Sequence, residues 1–523
     1  MVVFLNIAGR HSGKGCFFMK HKRKKRWLPG LIATGILLAA EAIFMRILLG
    51  SELIPEQFLA LIAAPFFILA MIVFLLTRNT RHKVRFAMGV LVTVIVIILL
   101  ACGGGFAFQG INTLKNVAST SATETTDIGV YVSSDDPASS LSDVGNYTFG
   151  ILATLDRAKT DQAIAAFTDT FGTDITVKEY AGLAELMDSV LITGETDAII
   201  VNSALLTLAE DMEDYEVKKG QLREIHEEQV ETVVEHAVSR TSATTDSVEE
   251  ADNLEEVSVD ASSEVFSVYI SGIDSRTGLI SRSRSDVNIL VTVNTETRQV
   301  LLISTPRDFY VPLSISNGVP DKLTHAGIYG IDVCIDTLEM LYQMKIDYYF
   351  RVNFYGFEQI IDALGNITVY SDYDFTSSDG KYAFKKGVNI LDGGAALAFA
   401  RERYAFASGD RQRGSNQMAI IKGVIDKVLS PALLTGYADI MQSISGSFET
   451  SLPYEILAKL VREQLMNGGD WNVVTYSVGG SDSSQKPYSL STKAYVMIPD
   501  DSTVNHAIEL MRQVRVGEIL TQE

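Results

Sequence analysis

Val268-Tyr269-Ile270-Ser271-Gly272-Ile273-Asp274 reads as an apolar strand that runs into a glycine and delivers a carboxylate just past its end. Ligand-binding groups in α/β folds favour that position, at the carboxyl end of a strand. Arg282-Ser283-Arg284-Ser285-Asp286 then leads straight into a second apolar run, Val287–Val293. A third run, Gln299–Ser304, ends in Thr305-Pro306-Arg307-Asp308. Three strand ends thus each supply an acid, an arginine or both. Taken singly, such residues satisfy turns or form surface pairs. Helical spacing at Ile331–Met344, Phe357–Leu364 and Gln417–Leu429 interleaves with these strands. The expectation for 265–517 is an α/β or α+β domain with a central sheet flanked by helices.

Further along, Arg401, Arg403, Arg411 and Arg413 fall within thirteen residues of a strongly acidic region. Guanidinium groups gathered there need a dense anion, and their fixed fork of donors suits phosphate oxygens better than a lysine does. Asp410, Arg413 and Gln417 are spaced i, i+3, i+7, so a helix places them on one face. Ile420, Ile421 and Val424 continue that stripe, and Ile425 and Val428 lie beside it. The stripe is either ordinary core or a surface along which a lipid tail runs. Arg411 lies off it. Arg401 and Arg403, two residues apart, reach one site only where the chain is extended or leaving a helix. Leu391-Asp392-Gly393 is read as a cap, with Asp392 at the N-cap of a helix over Ala395–Ala400.

Working toward the N-terminus, 239–264 is rich in Ser, Thr, Asp and Glu and has linker composition. Before it, 127–238 alternates strand-like runs (Ile128–Val132, Tyr147–Leu152, Ile175–Lys178, Ala198–Val201) with helical patterns, giving a small α/β accessory domain. No catalytic constellation is visible in it. Its last segment, Glu213–His236, reads as a charged helix. Residues 109–126 read as a short stalk.

Three apolar stretches, roughly Leu28–Leu49, Leu53–Leu76 and Phe86–Phe108, are each long enough to cross a bilayer. Lys20–Arg26 precede the first, and Arg78, Arg81, Lys83 and Arg85 separate the second from the third. The turn between the first two carries only the acids Glu52 and Glu56. The positive-inside rule then puts the basic N-terminus, 1–26, in the cytoplasm and everything after Phe108 outside the cell membrane. Inside the first span, Arg46 is expected to snorkel and Glu41 to pair with a neighbouring helix.

Residues 1–109 carry a net charge of +10 and the remainder −30. An exterior so acidic repels nucleic acid, and the topology leaves little of the chain to meet DNA in the cytoplasm. The cysteines Cys16, Cys102 and Cys334 fall in three different compartments, which allows neither a bridge nor a zinc site. Cys334 reads as a small buried hydrophobe.

Taken in order, Gly272-x-Asp274, Arg284-Ser285-Asp286, Pro306-Arg307-Asp308, Lys322-Leu323-Thr324-His325-Ala326, Asp362-x-x-Gly365, Leu391-Asp392-Gly393, Ala400-Arg401-x-Arg403 and Asp410-x-x-Arg413-x-x-x-Gln417 resemble the LytR–CpsA–Psr family. Three preceding spans and an intervening domain look like its CpsA branch, which is associated with capsule. One departure is Asn416, where many members carry a second arginine. The resemblance implies a membrane-anchored phosphotransferase that moves a glycan phosphate, here expected to be capsular polysaccharide, from a polyprenyl pyrophosphate to peptidoglycan. It implies Mg²⁺ (or Mn²⁺) held by Asp274 and Asp286. It implies a pyrophosphate cradle of Arg284, Arg307, Arg401, Arg403 and Arg413, with Asp410 and Gln417 orienting those arginines or touching phosphate. Capsule-synthesis membrane proteins or a kinase are further candidate partners.

This chemistry suits the residues, since phosphoryl transfer is mostly positioning and charge stabilisation. The acceptor hydroxyl needs a base, for which Asp286, Asp274 or a water are the alternatives. His325 is read as a structural histidine or an acceptor contact, and Lys322 as a phosphate contact or a solvated side chain. A regulatory sensor of polymer synthesis, historically described as a transcriptional attenuator, is one competing function. A polyprenyl-pyrophosphate hydrolase using the same site without an acceptor is the other.

Overall fold

The computed structural model describes residues 28–50, 56–118, 123–171, 175–234, 265–273, 282–407, 409–428, 430, 444 and 446–521. Asp274, the basic run Lys20–Arg26, Cys16 and the 239–264 segment lie outside the described residues. Two compact units are present, one of N-terminal helices up to Gly105 and one of mixed α/β structure from Phe106 onward.

Helices α1 (Leu28–Leu49), α2 (Glu56–Thr77) and α3 (Lys83–Ala118) are each long and apolar enough to cross a membrane. The chain is a multi-pass membrane protein. At Gly30 of α1 a Cβ would lie 2.8 Å from the Thr77 carbonyl oxygen, so the small residue lets two helix backbones meet. Glu41 is buried, yet its Oε1 has no hydrogen-bond partner among the described residues, so the expected pairing is not seen there. Helix α3 continues to Ala118 and the first strand begins at Thr123, so regular structure occupies most of 109–126, which composition suggested was a stalk. Ile111, Leu114 and Ala118 keep helical spacing across it.

The smaller sheet contains β1 (Thr123–Ser133), β2 (Thr148–Leu152), β3 (Thr176–Tyr180), β4 (Ala198–Asn202) and β5 (Leu222–Val233), in the order β3-β2-β4-β1-β5. Strand β4 is buried along its whole length, as its run of Ala, Ile and Val requires for a strand covered on both faces. Helix α4 (Arg157–Phe171) packs Ala163 and Phe167 on one face, against Val130, Phe149 and Ile151. Helix α5 (Leu183–Leu191) and a 3₁₀ segment, Leu205–Asp211, cover the other.

Glu213–His236 does not form the charged helix its composition suggests. A five-residue helix, Tyr215–Lys219, gives way to β5, which pairs antiparallel with β1 over eleven residues. Ile225, Val230, Thr232 and Val233 are β-branched, and β1 offers a complete pairing edge, so sheet formation wins over helix propensity. The glutamates of β5 then blunt the outer edge of the sheet.

The larger sheet contains β6 (Val265–Ile273), β7 (Ser285–Asn294), β8 (Gln299–Ser304), β9 (Tyr348–Asn353), β10 (Phe448–Thr450) and β11 (Asn472–Ser477). Their order is β10-β9-β6-β7-β8-β11. The central three are antiparallel, while β9 runs parallel to β6 and β11 parallel to β8. Helices α6 (Ile331–Tyr342) and α11 (Asp501–Arg515) cover one face, with Ile335, Leu338 and Met511 in one core with Tyr269 and Leu301. That core is continuous with Leu186, Leu205 and Leu208 of the smaller domain. Cys334 lies in it, 1% exposed, and burial pushes its thiol up to about 12, which leaves an inert hydrophobe.

On the other face lie α9 (Asp410–Val428) and α10 (Tyr454–Asn467), whose Met418 and Ile456 meet Phe266, Ile289 and Val291. Helices α7 (Phe354–Ala363) and α8 (Gly393–Arg401) form a separate core with Ile420 of α9. Asp392 caps α8, accepting a bond from the Ala395 amide at 2.8 Å. Asp362 accepts a bond from the Gly393 amide, also at 2.8 Å, and so ties two of the sequence motifs together.

Candidate active site

Antiparallel pairing explains why three distant motifs converge. Ile273 lies opposite Ser285 and Ile289 opposite Ser304, so the end of β6, the start of β7 and the end of β8 share one sheet edge. The register shifts between Gly272 and Ile273. A Cβ on Gly272 would sit 2.6 Å from the Val287 side chain, so the bulge closes only around glycine.

Asp286 accepts bonds from Arg307 Nη1 at 2.9 Å and from Thr324 Oγ1 at 3.1 Å, both on Oδ1. Burial alone would raise its pKa, but the Arg307, Arg284 and Arg413 guanidiniums outweigh burial and hold it below the usual carboxylate range. Arg307 also lies 3.4 Å from Asp308. Arg413, 9% exposed, pairs with Asp410 at 2.7 Å. Even so its pKa is lowered, because burial and the adjacent Arg307 outweigh Asp410. A buried guanidinium in that condition gains most from an added anion.

Arg401 is the last residue of α8, and Glu402 after it is extended, so the chain leaves its helix between Arg401 and Arg403. Arg401 stacks on Phe354 at 4.3 Å and Arg403 on Tyr404 at 4.6 Å. Gln417 donates to the Ala400 carbonyl at 3.4 Å. Asn416 donates to the Phe399 carbonyl at 3.1 Å and joins α9 to α8 instead of facing an anion. Arg411 turns away to the Gly480 carbonyl.

Arg284, Asp286, Arg307, Arg401, Arg403, Arg413 and Gln417 all line one cavity of about 940 Å³. Beyond this polar end the walls are apolar. Ile421, Val424 and Val428 of α9 line it together with Phe266, Val291 and Val300 of the sheet. The helix stripe is both core and cavity wall: Ile420, Val424 and Val428 pack with α7 and α8, Ile421 and Ile425 pack on the sheet, and all five line the cavity. Polar head and apolar barrel form one continuous space between the sheet and α9.

Lys322 and His325 are both enclosed. Lys322, 2% exposed, pairs with Asp211 at 2.5 Å and with Asp308 at 3.4 Å, so it is not the solvated side chain one reading allowed. His325 lies between Asp321 at 2.7 Å and Asp211 at 3.4 Å, and those carboxylates raise its pKa against the effect of burial. Sequence reasoning missed Glu210 and Asp211 altogether. They end the 3₁₀ segment of the smaller domain, and both line the cavity. Nothing in Leu208-Ala209-Glu210-Asp211 signals this, because the contacts cross more than seventy residues of chain.

For a divalent cation, the described residues include no group of three or more His, Cys, Asp or Glu. Magnesium needs only one or two carboxylates when phosphate supplies the other oxygens. Asp286 fits that requirement, with both its bonds on Oδ1; Asp274, its expected partner, is outside the described residues.

The LytR_cpsA_psr family model matches residues 232–503. A polyisoprenyl-teichoic acid–peptidoglycan teichoic acid transferase TagU of Enterococcus faecalis is 36% identical over 199 residues, covering 38% of this chain and 65% of that protein. TagU of Bacillus subtilis is 36% identical over 191 residues, covering 36% of this chain and 61% of that protein. The chain thus spans a little under two thirds of these relatives. The crystal structure of B. subtilis TagV is similar at 28% identity with a TM-score of 0.41, covering 49% of this chain and 99% of that one.

The expected capsule branch is overturned, because the similar proteins are named for teichoic acid. Three spans and an inserted domain describe how a site is mounted, and such a layout carries no information about the polymer the site accepts. With its family model matched over more than half its length, the chain belongs to the LytR–CpsA–Psr family.

Proposed function

We propose that the chain is a membrane-anchored transferase that moves a glycopolymer phosphate from a polyprenyl diphosphate carrier onto peptidoglycan. The polymer is of the wall teichoic acid type, by analogy with the names of its relatives. The observation that carries this reading is the cavity, whose arginine-lined head passes without interruption into an apolar barrel. A diphosphate on a long hydrocarbon has that same distribution of charge and apolar surface. Each buried CH₂ of the tail contributes roughly 0.8 kcal/mol, so a few isoprene units anchor the donor while the arginines fix its head.

In the reaction the acceptor hydroxyl oxygen attacks the glycan-side phosphorus and a new P–O bond forms. The bond from that phosphorus to the bridging oxygen breaks, and polyprenyl monophosphate leaves with the electron pair. Arg307 and Arg413 bind the charge that collects on the phosphoryl oxygens. Asp286, held ionised, takes the hydroxyl proton where it does not hold the cation; where it does, a water or Asp274 takes the proton. Mg²⁺ or Mn²⁺, if bound, would be held by Asp286 with Asp274 and would supply further neutralisation of the diphosphate.

The test uses the whole purified chain in detergent with Mg²⁺, a lipid-linked teichoic acid precursor and peptidoglycan fragments. Polymer joined to the fragment, and lost in Arg307→Ala and Asp286→Ala, is the expected result. Release of polymer phosphate without linkage would replace the transferase with a hydrolase. Donor binding with no turnover would indicate a sensor.

A further inference from the structure

Every cation of the site is already engaged by a protein group, and one of those groups comes from outside the larger domain. Arg284, 8% exposed, donates to Glu210 Oε2 at 2.7 Å and lies 3.9 Å from Asp211. Asp211 is in turn fixed by Lys322 at 2.5 Å and His325 at 3.4 Å, both enclosed in the larger domain. The 3₁₀ segment carrying the pair packs Leu205, Leu206 and Leu208 into the core shared by both domains. Its position is therefore set by burial as well as by charge.

Glu210 differs from its neighbour. Its side chain is 39% exposed, it lines the cavity, and apart from Arg284 its ion-pair partner is Lys219 of the same small domain, at 3.2 Å. We propose that Glu210 is a built-in competitor for the diphosphate at Arg284, held in place by Asp211, so that the smaller domain sets how tightly donor and leaving phosphate are bound. This inference rests on the diphosphate reading of the cavity. Among the described residues, Arg284, Arg307 and Arg413 pair with Glu210, Asp286, Asp308 and Asp410, Arg401 and Arg403 lie over aromatic rings, and Lys322 and Asp211 cancel each other, so five arginines stand against four acids. The net charge of +1 becomes +2 once Glu210 loses its charge. A carboxylate on Arg284 must give way when phosphate arrives and returns when the monophosphate leaves. That exchange weakens binding of donor and product together and speeds product release.

Calorimetry on the full chain in detergent, with farnesyl diphosphate and then farnesyl monophosphate as probes, tests this. Glu210→Gln is nearly isosteric and should bind both about three- to tenfold more tightly, the range expected for losing one partly exposed competing pair. In turnover its KM should fall together with kcat, a split that a purely structural role would not produce. Glu195→Gln removes the same charge from the same domain at an exposed pair with Lys178, and should leave both affinities unchanged. Equal or weaker binding by Glu210→Gln overturns the proposal, as does equal tightening by Glu195→Gln. If the unmodified chain binds neither probe, the diphosphate reading itself fails.

Discussion

The cluster around Arg351 and the cluster around Arg307 are both built from guanidinium and carboxylate groups that separate segments of the chain bring together. Arg351, 3% exposed, is held by Glu124 of β1 and by Glu449 of β10, with a 2.7 Å bond from its Nε to Glu449. Arg282 adds a second cation 3.3 Å from Glu124. Two acids and two bases are matched and packed into the join between the sheets. At Arg307 the cations outnumber the acids, and the groups line a cavity instead of filling an interior. Charge that is balanced and buried holds the fold in one arrangement. Charge that is unbalanced and faces a space is arranged for something that enters it.

The contrast can be broken most severely at Arg351. Arg351→Ala leaves Glu124 and Glu449 buried without their partner and should cost about 3–5 kcal/mol of stability. A thermal melt would read this as a large fall in Tm; an unchanged Tm would mean that the cluster is not structural. Arg307→Ala should do the reverse. Transfer should drop about 10²–10³-fold, the loss typical of removing one donor from a preorganised anion site, while Tm moves little. Assaying both variants for Tm and for transfer gives the crossed comparison.

A smaller effect concerns pH. Folding raises the His325 pKa above its ordinary value of about 6.5, because the carboxylates of Asp321 and Asp211 outweigh burial. Its contribution is therefore complete below the unfolded pKa and disappears as pH rises through the folded one. Tm should decline as pH rises above about 6.5, the unperturbed histidine pKa, and His325→Gln should flatten that decline. An identical slope in the variant would assign the pH dependence elsewhere. Smallest of all, Asp392→Ala removes the α8 cap and should cost about 1 kcal/mol by denaturant melt, with diphosphate affinity nearly unchanged. A marked loss of affinity would mean that the cap also orients Arg401.

Where a motif lies within one element, its geometry could be read in advance. Asp410, Arg413 and Gln417 share a helix, Asp392 caps one, and Arg401 and Arg403 straddle a helix end, because each arrangement follows from local periodicity or capping. Within Glu213–His236, the glutamates of Leu222–Val233 suit a solvated helix as well as an edge strand, and only β1 beside it decides. That Ile421, Val424 and Val428 pack as core and also line a cavity depends on how α9 stands against the sheet, which no spacing encodes.

Three membrane helices, the α/β character of the rest, and the acids and arginines placed beside three strand ends were legible in the residues alone. These depend on hydrophobic length, period and side-chain type, all of which are properties of short stretches. That Glu210 and Asp211 line the same cavity as the arginines, and that Lys322 and His325 are buried beside them, comes from the packing of the folded chain. Those facts depend on two domains sharing one core, and contacts between residues so far apart in sequence leave no local trace.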